Sequence, residues 1–265
     1  FTIAGPISFY GGNIHLNANV SSSLASAPLL FKASGNVTQA SNVAVGSTGG
    51  DITLWANSDG DTTHYGSILL NPGASISSQN GNINLGGGSS LATGYATQKT
   101  TNVGSLSGNM SEYSAGVVLF DASINAGTGT VTARGESVGS ADDYAMGVLL
   151  FGNTGTASIT GASVNLVGLS NNASNAFGNG SSNSGIAVIK SAITGSGPVN
   201  LNGTGSAGAG GNASYNRGIF LNEVSISSTG SSLSLTGAGR ASNEFIDGVS
   251  MVNASATAAT ALTLS

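Results

Sequence analysis

The chain has 265 residues, of which only 6 are Lys or Arg and 11 are Asp or Glu, giving a formal net charge of −5. So few and so dispersed basic residues leave no footprint for nucleic acid or anionic lipid. No apolar run approaches a membrane span, and with no cysteine there is neither a disulfide frame nor a thiolate metal site.

Glycine, at 42 residues, is far above average, yet 39% of residues are hydrophobic and the mean hydropathy is +0.18. A chain with that much apolar material and so little charge is not composed like a disordered one.

The chain opens on strand-like beats at Ile7, Phe9 and Ile14. One phrase, a turn residue followed by apolar, polar, apolar, then recurs. It reads Ile14-His15-Leu16, Ile52-Thr53-Leu54, Ile83-Asn84-Leu85 and Val131-Thr132-Ala133. It continues as Val164-Asn165-Leu166, Val199-Asn200-Leu201, Leu233-Ser234-Leu235 and Leu262-Thr263-Leu264. Alternation with period two marks a half-buried strand rather than a helix.

A second phrase interleaves with the first and starts with glycine at Gly66, Gly116, Gly147, Gly185, Gly218 and Gly248. Its first and third following residues are aliphatic (Val117/Leu119, Val148/Leu150, Ile186/Val188), so they point inward and the second and fourth outward. Between the phrases sits a shorter strand centred on Ile76, Ile124, Ile159, Ile193 or Ile226.

Three short strands, each with one narrow apolar face, cannot bury that face alone. Stacking like strands at about 4.8 Å per rung solves the problem. The prediction is an all-β parallel β-helix of about seven rungs, with three short strands per rung. One such repeat segment runs over residues 1–265. Rung length varies almost only after the first phrase, in 56–65, 86–115, 135–146, 168–184, 203–217 and 237–247. The same corner is involved each time, which lines the long loops up on one side, often the binding side of a solenoid.

Phrases such as Gly50-Asp-Ile-Thr-Leu, Gly81-Asn-Ile-Asn-Leu and Gly11-Gly-Asn-Ile-His-Leu resemble the repeats of filamentous-haemagglutinin-type bacterial exoproteins. The resemblance implies a right-handed β-helical shaft of an adhesin, many of which use two-partner secretion. It implies a place on the bacterial cell surface or in an extracellular fibre or biofilm; it identifies no receptor, and the candidate partner is a host-cell or matrix glycan.

Two constellations could bind a ligand. Three residues before the repeat glycine stand Tyr113, Tyr144, Tyr215 and Phe245, preceded by Glu112, Asp143, Ser214 and Glu244, with Ser182 breaking the series. They form either an exposed aromatic ladder for sugar rings or an aromatic stack closing the core under the loops; the closed stack is preferred. Trp55 alternates outward, and Asp59, Asp61, His64 and Tyr65 follow it in one loop. That cluster suits a carbohydrate better than a metal, for which its ligand count falls short. Here too the plain reading, a loop covering its own indole, is preferred.

Paired carboxylates occur only in loops (Asp59/Asp61, Asp142/Asp143), and no nucleophile elbow is present. The expectation is therefore a non-enzymatic structural or adhesive rod without cofactor, metal or catalytic residues. A carbohydrate-binding β-helix is the first alternative and a polysaccharide-degrading enzyme the second. The chain begins on Phe1 without a signal-like segment and ends on the beats Leu262 and Leu264. Uncapped solenoid ends lead us to expect either continuation of the same chain in a longer solenoid or end-to-end self-association.

Overall fold

The structure, a computed structural model, describes residues 1–98, 113–138, 144–171, 182–206, 215–240 and 246–265. The described chain visits three parallel sheets in strict rotation. The first sheet holds nine strands from Thr2–Ile3 to Ser255–Ala258, the second nine from Ile7–Gly11 to Leu262–Leu264, and the third eight from Ile14–Leu16 to Ile246–Val252. Ala96–Gln98 adds a tenth strand to the second sheet, paired beside Thr130–Val138. This is a parallel β-helix, and at about 4.8 Å per coil its nine-strand stacks are about 38 Å tall.

Each coil buries like residues on like. In the first sheet Val20, Val45, Ile76, Ile124, Ile159, Ile193 and Ile226 form one register-matched, buried column. Phe31, Leu54, Leu85, Ala133, Leu166, Leu201 and Leu235 do the same in the second. Burying one such aliphatic chain contributes about 1.5–3 kcal/mol, and here every coil repeats the gain against its neighbours.

Eight complete coils are present with two strands of a ninth, more than the expected seven. The surplus lies at the start, where Ile14 pairs with Val37 only 23 residues on. Those short coils carry no long corner loop and no glycine phrase, so the repeat spacing of the later coils does not reveal them. For the same reason Ile14-His15-Leu16 belongs to the third sheet, beside Val37–Gln39, and not to the second. His15 is thereby removed from the polar column that runs unbroken from Thr53 to Thr263.

At the loop-bearing corner the second and third sheets cross. A Cβ on Gly135, Gly168, Gly203 or Gly237 would strike the carbonyl of Gly147, Gly185, Gly218 or Gly248, respectively. Only glycine on both strands allows this backbone-to-backbone waist. Both strands continue past it: Ser114 Oγ lies 2.8 Å from Ser137 Oγ, and both residues are buried.

The alternation skips a beat at the waist. Val117 and Leu119 face the main core, whereas Tyr113, Ala115, Val118, Met146, Leu149 and Ala187 form a second buried cluster. The outer face of the third sheet therefore points outward, as its alternation predicts, but over Val118, Leu149 and Ala187 it is buried.

Candidate functional site

The long loop at 57–65 is built from short-range polar bonds. Asp59 Oδ1 accepts the Asp61 N–H at 3.2 Å, and Asp61 Oδ1 accepts both the N–H and the hydroxyl of Thr63 at 2.7 Å. Asp61 Oδ2 lies 2.8 Å from His64 Nδ1. The hydrogen bonds from His64 and then Thr63 hold the Asp61 carboxyl well below the usual carboxylate range. Asn57 lies buried beneath the loop; with its amide turned so that nitrogen faces the carbonyls of Asp61 and His64, it donates to them at 3.2 and 3.3 Å.

A second loop, at 88–95, stands against the first. The indole N–H of Trp55 donates to Gly88 O at 2.7 Å, and the Thr97 N–H donates to Gly66 O at 2.8 Å. Trp55 is half-buried, with Lys32 Nζ 4.0 Å from its ring centroid. One ring edge is thus taken by the neighbouring loop and the ring face by a cation, worth about 0.5–1 kcal/mol at such a site. That leaves the indole covered by loop and lysine, not presented as a platform.

Between the two loops lies a cleft of about 370 Å³. Asp61 and Tyr65 line it from one side, Tyr95 and Thr97 from the other, and Glu136 forms part of its wall. Glu136 stands on Thr130–Val138 beyond the glycine waist, half-buried. Burial pushes its carboxyl up, opposed by Asn171, whose amide donates to Oε1 at 2.6 Å. The other oxygen, Oε2, has no hydrogen-bond partner among the described residues.

Asp59, Asp61 and His64 are thus brought together as anticipated, and Tyr65 joins Asp61 at the cleft. Trp55 touches the loop behind the cleft and does not line it. Tyr95, Glu136, Asn57 and Thr97 were not anticipated. The one available signal was Glu136 itself, an acid at an outward beat of an alternating strand that runs on past Gly135.

The corner aromatics have a different fate. Tyr113 is only 1% exposed, so it is part of an enclosed stack and cannot act as a sugar platform. Tyr113, Tyr144, Ser182 and Tyr215 do share one register column. The side chains of Tyr144 and Tyr215, and the residues Glu112, Asp143, Ser214, Glu244 and Phe245, lie outside the described ones. The column just before the glycine runs Ala115, Met146, Ser184, Arg217 and Asp247. It faces away from the main core, yet Ala115, Met146 and Ser184 are buried. Arg217 Nε lies 3.4 Å from Asp247 Oδ2 and its guanidinium carbon 4.3 Å from the Phe220 ring centroid.

Among the described residues no group of three or more His, Cys, Asp or Glu is placed to hold a metal ion. No helix of the described chain is long and apolar enough to cross a membrane. Comparison with protein-family models, with curated proteins and with solved structures returned no match.

Proposed function

We propose that this protein is a structural, adhesive rod of a bacterial surface or secreted fibre, non-enzymatic, that associates with copies of itself. One observation carries the reading. All three sheets are stacks of parallel strands in which like residues repeat in register from coil to coil, a pattern that the strands of a second copy can join. Phe1, Ile3 and Phe9 are exposed at one end, and Met251, Leu262 and Leu264 at the other. Phe9 stacks on Phe31 with ring centroids 5.4 Å apart.

An open edge with apolar residues beside it is a template for another parallel strand. A strand of each sheet is offered at each end; the first and second sheets hold one strand more than the third, so a further copy extends those two stacks directly. Near-absence of charge removes the repulsion that keeps most edges apart. The resemblance of Gly50-Asp-Ile-Thr-Leu and its relatives to filamentous-haemagglutinin-type repeats supports the extracellular, adhesive setting.

The test is sedimentation velocity and negative-stain imaging of the 265-residue chain over a range of concentrations. Rods should lengthen in steps of about 43 Å, nine strand spacings per added copy. Replacing Leu262→Asp together with Leu264→Asp should leave single short rods. A chain that stays monomeric at every concentration, or that clumps equally in both forms, overturns the reading.

A further inference from the structure

We propose that the corner between the third and first sheets is a side-by-side contact for a second copy of this chain, in which Lys190 of each rod pairs with Glu223 of the other across a two-fold axis. The contact rests on the self-association proposed above and names a lateral surface for it.

The coil sets the two charges. Lys190 and Glu223 occupy the same corner in successive coils, about 4.8 Å apart along the rod. The Lys190 N–H donates to Asn222 O at 2.9 Å, and the flanking strands are in register, Ile189 with Asn222 and Ala192 with Ser225. Both residues are exposed and in the left-handed region, at φ 48° and 54°. Asparagine meets that backbone at less cost, as Asn253 does one coil on at φ 48°, so the turn itself does not call for a charge. Although neighbours, Lys190 and Glu223 form no ion pair among the described residues.

Beside them runs an open groove of about 610 Å³, and among its described lining residues no other is charged. Ala192 and Ser225 belong both to the groove and to the outer face of the first sheet. On that face Ser158, Ala192 and Ser225 form one register column, and Thr160, Thr194 and Ser227 the next. These side chains are short and uncharged, so a second rod can come close without burying an unpaired charge.

The charge pattern selects the occupant. A two-fold contact sets a patch against itself, so that residue i of one copy meets j of the other and j meets i. One cation and one anion a coil apart are complementary to their own image when the rods run antiparallel. The pad carries no net charge, although the chain as a whole carries −5. An exposed pair is weak alone. Successive copies along a fibre would add theirs.

The test uses Lys190→Glu and Glu223→Lys in the whole chain. Each corner position already holds one of these two side chains in the left-handed conformation, so the exchange adds no backbone strain. By sedimentation equilibrium, each variant alone should pair about tenfold more weakly than the parent, because like charges then face each other. An equal mixture of the two should return to the parent's affinity. In that mixture Lys190 stands on one chain and Glu223 on the other, so carbodiimide coupling, which joins a contacting amine and carboxylate, can make the Lys190–Glu223 amide only between copies. Should either variant fail to fold, as judged by circular dichroism, the same amide between isotope-labelled and unlabelled parent chains takes its place. Absence of the intermolecular amide, unchanged pairing in the single variants, or no recovery in the mixture each overturns the contact. Lengthening is read separately through Leu262→Asp with Leu264→Asp: rods that lengthen without the amide overturn the lateral contact alone, and the amide from chains that do not lengthen overturns lengthening alone.

Discussion

Gly168 and Gly185 meet backbone to backbone where the second and third sheets cross: a Cβ on Gly185 would lie 2.6 Å from the Gly168 carbonyl oxygen, and one on Gly168 would strike the Gly185 carbonyl. The neighbouring coils repeat the arrangement, so the waist cannot widen at one level without prising apart the strands above and below. Gly168→Ala should therefore cost more than ordinary overpacking, about 3 kcal/mol or more. Gly12→Ala, where a Cβ meets nothing within 4 Å, should be neutral within about 0.5 kcal/mol. Urea denaturation of the two variants side by side checks the contrast.

Asp121 holds a turn of the next coil. In the left-handed region at φ 45°, its Oδ1 accepts the N–H groups of Asn153 at 2.7 Å and Gly155 at 3.1 Å, and Oδ2 that of Thr154 at 3.2 Å. Asp121→Asn keeps one oxygen and tolerates the backbone, so its cost should be about 1 kcal/mol. Asp121→Ala loses every bond and adds left-handed strain, for about 2–3 kcal/mol. Thermal unfolding followed by circular dichroism should rank them in that order.

Gln39 interrupts an aliphatic column between Leu16 and Leu70 and is fully buried. Its Nε2 donates to Val43 O at 2.7 Å and Ser75 O at 3.0 Å, bonds that tie the third sheet to the first. Gln39→Leu restores the column and removes the buried, unpartnered Oε1, while Val43 O keeps the Ser75 N–H, so the net change should stay within about 1 kcal/mol. Gln39→Glu sets a carboxylate against two carbonyl oxygens, and should lose about 3 kcal/mol or more at neutral pH. Acidification should restore much of the loss, because the protonated acid regains a donor; urea midpoints across pH read this directly.

Glu136 gives the wild-type chain a pH signature of its own. Burial raises its carboxyl above the ordinary 4.5, so the folded state prefers the protonated form. The associated stability is fully present below that ordinary value and is lost as pH rises through the raised folded one. Glu136→Gln, which cannot ionise, should therefore match the parent near pH 4 and exceed it near pH 7 in urea midpoint. Asp61 works in the opposite sense: its lowered value contributes stability above the ordinary 3.8 that is lost on acidification.

The amino-acid order was enough for the architecture, because parallel stacking puts equivalent residues of successive coils directly in register. Ile76, Ile124, Ile159, Ile193 and Ile226 read as one column in the sequence and are one column in the fold. The polar column from Thr53 to Thr263 and the corner that carries the long loops follow from the same repetition. It was also enough to group Asp59, Asp61, His64 and Tyr65, which are neighbours along one loop.

Where repetition fades, the sequence falls silent. The first two coils are too short to carry the later phrases, so His15 looks like a member of the wrong sheet. Tyr113 and Val118 differ by five positions, an odd step in a simple strand, yet share one cluster because the strand bends at Gly116. The uncharged, apolar makeup set the chain apart from disorder. Whether an outward residue is wet, as Asp61 is in part, or buried, as Tyr113 and Val118 are, was decided only by tertiary structure. So was the cleft, since Tyr65, Tyr95 and Glu136 meet across three coils. Alternation fixes which face a side chain takes; what stands opposite that face depends on contacts between distant parts of the chain.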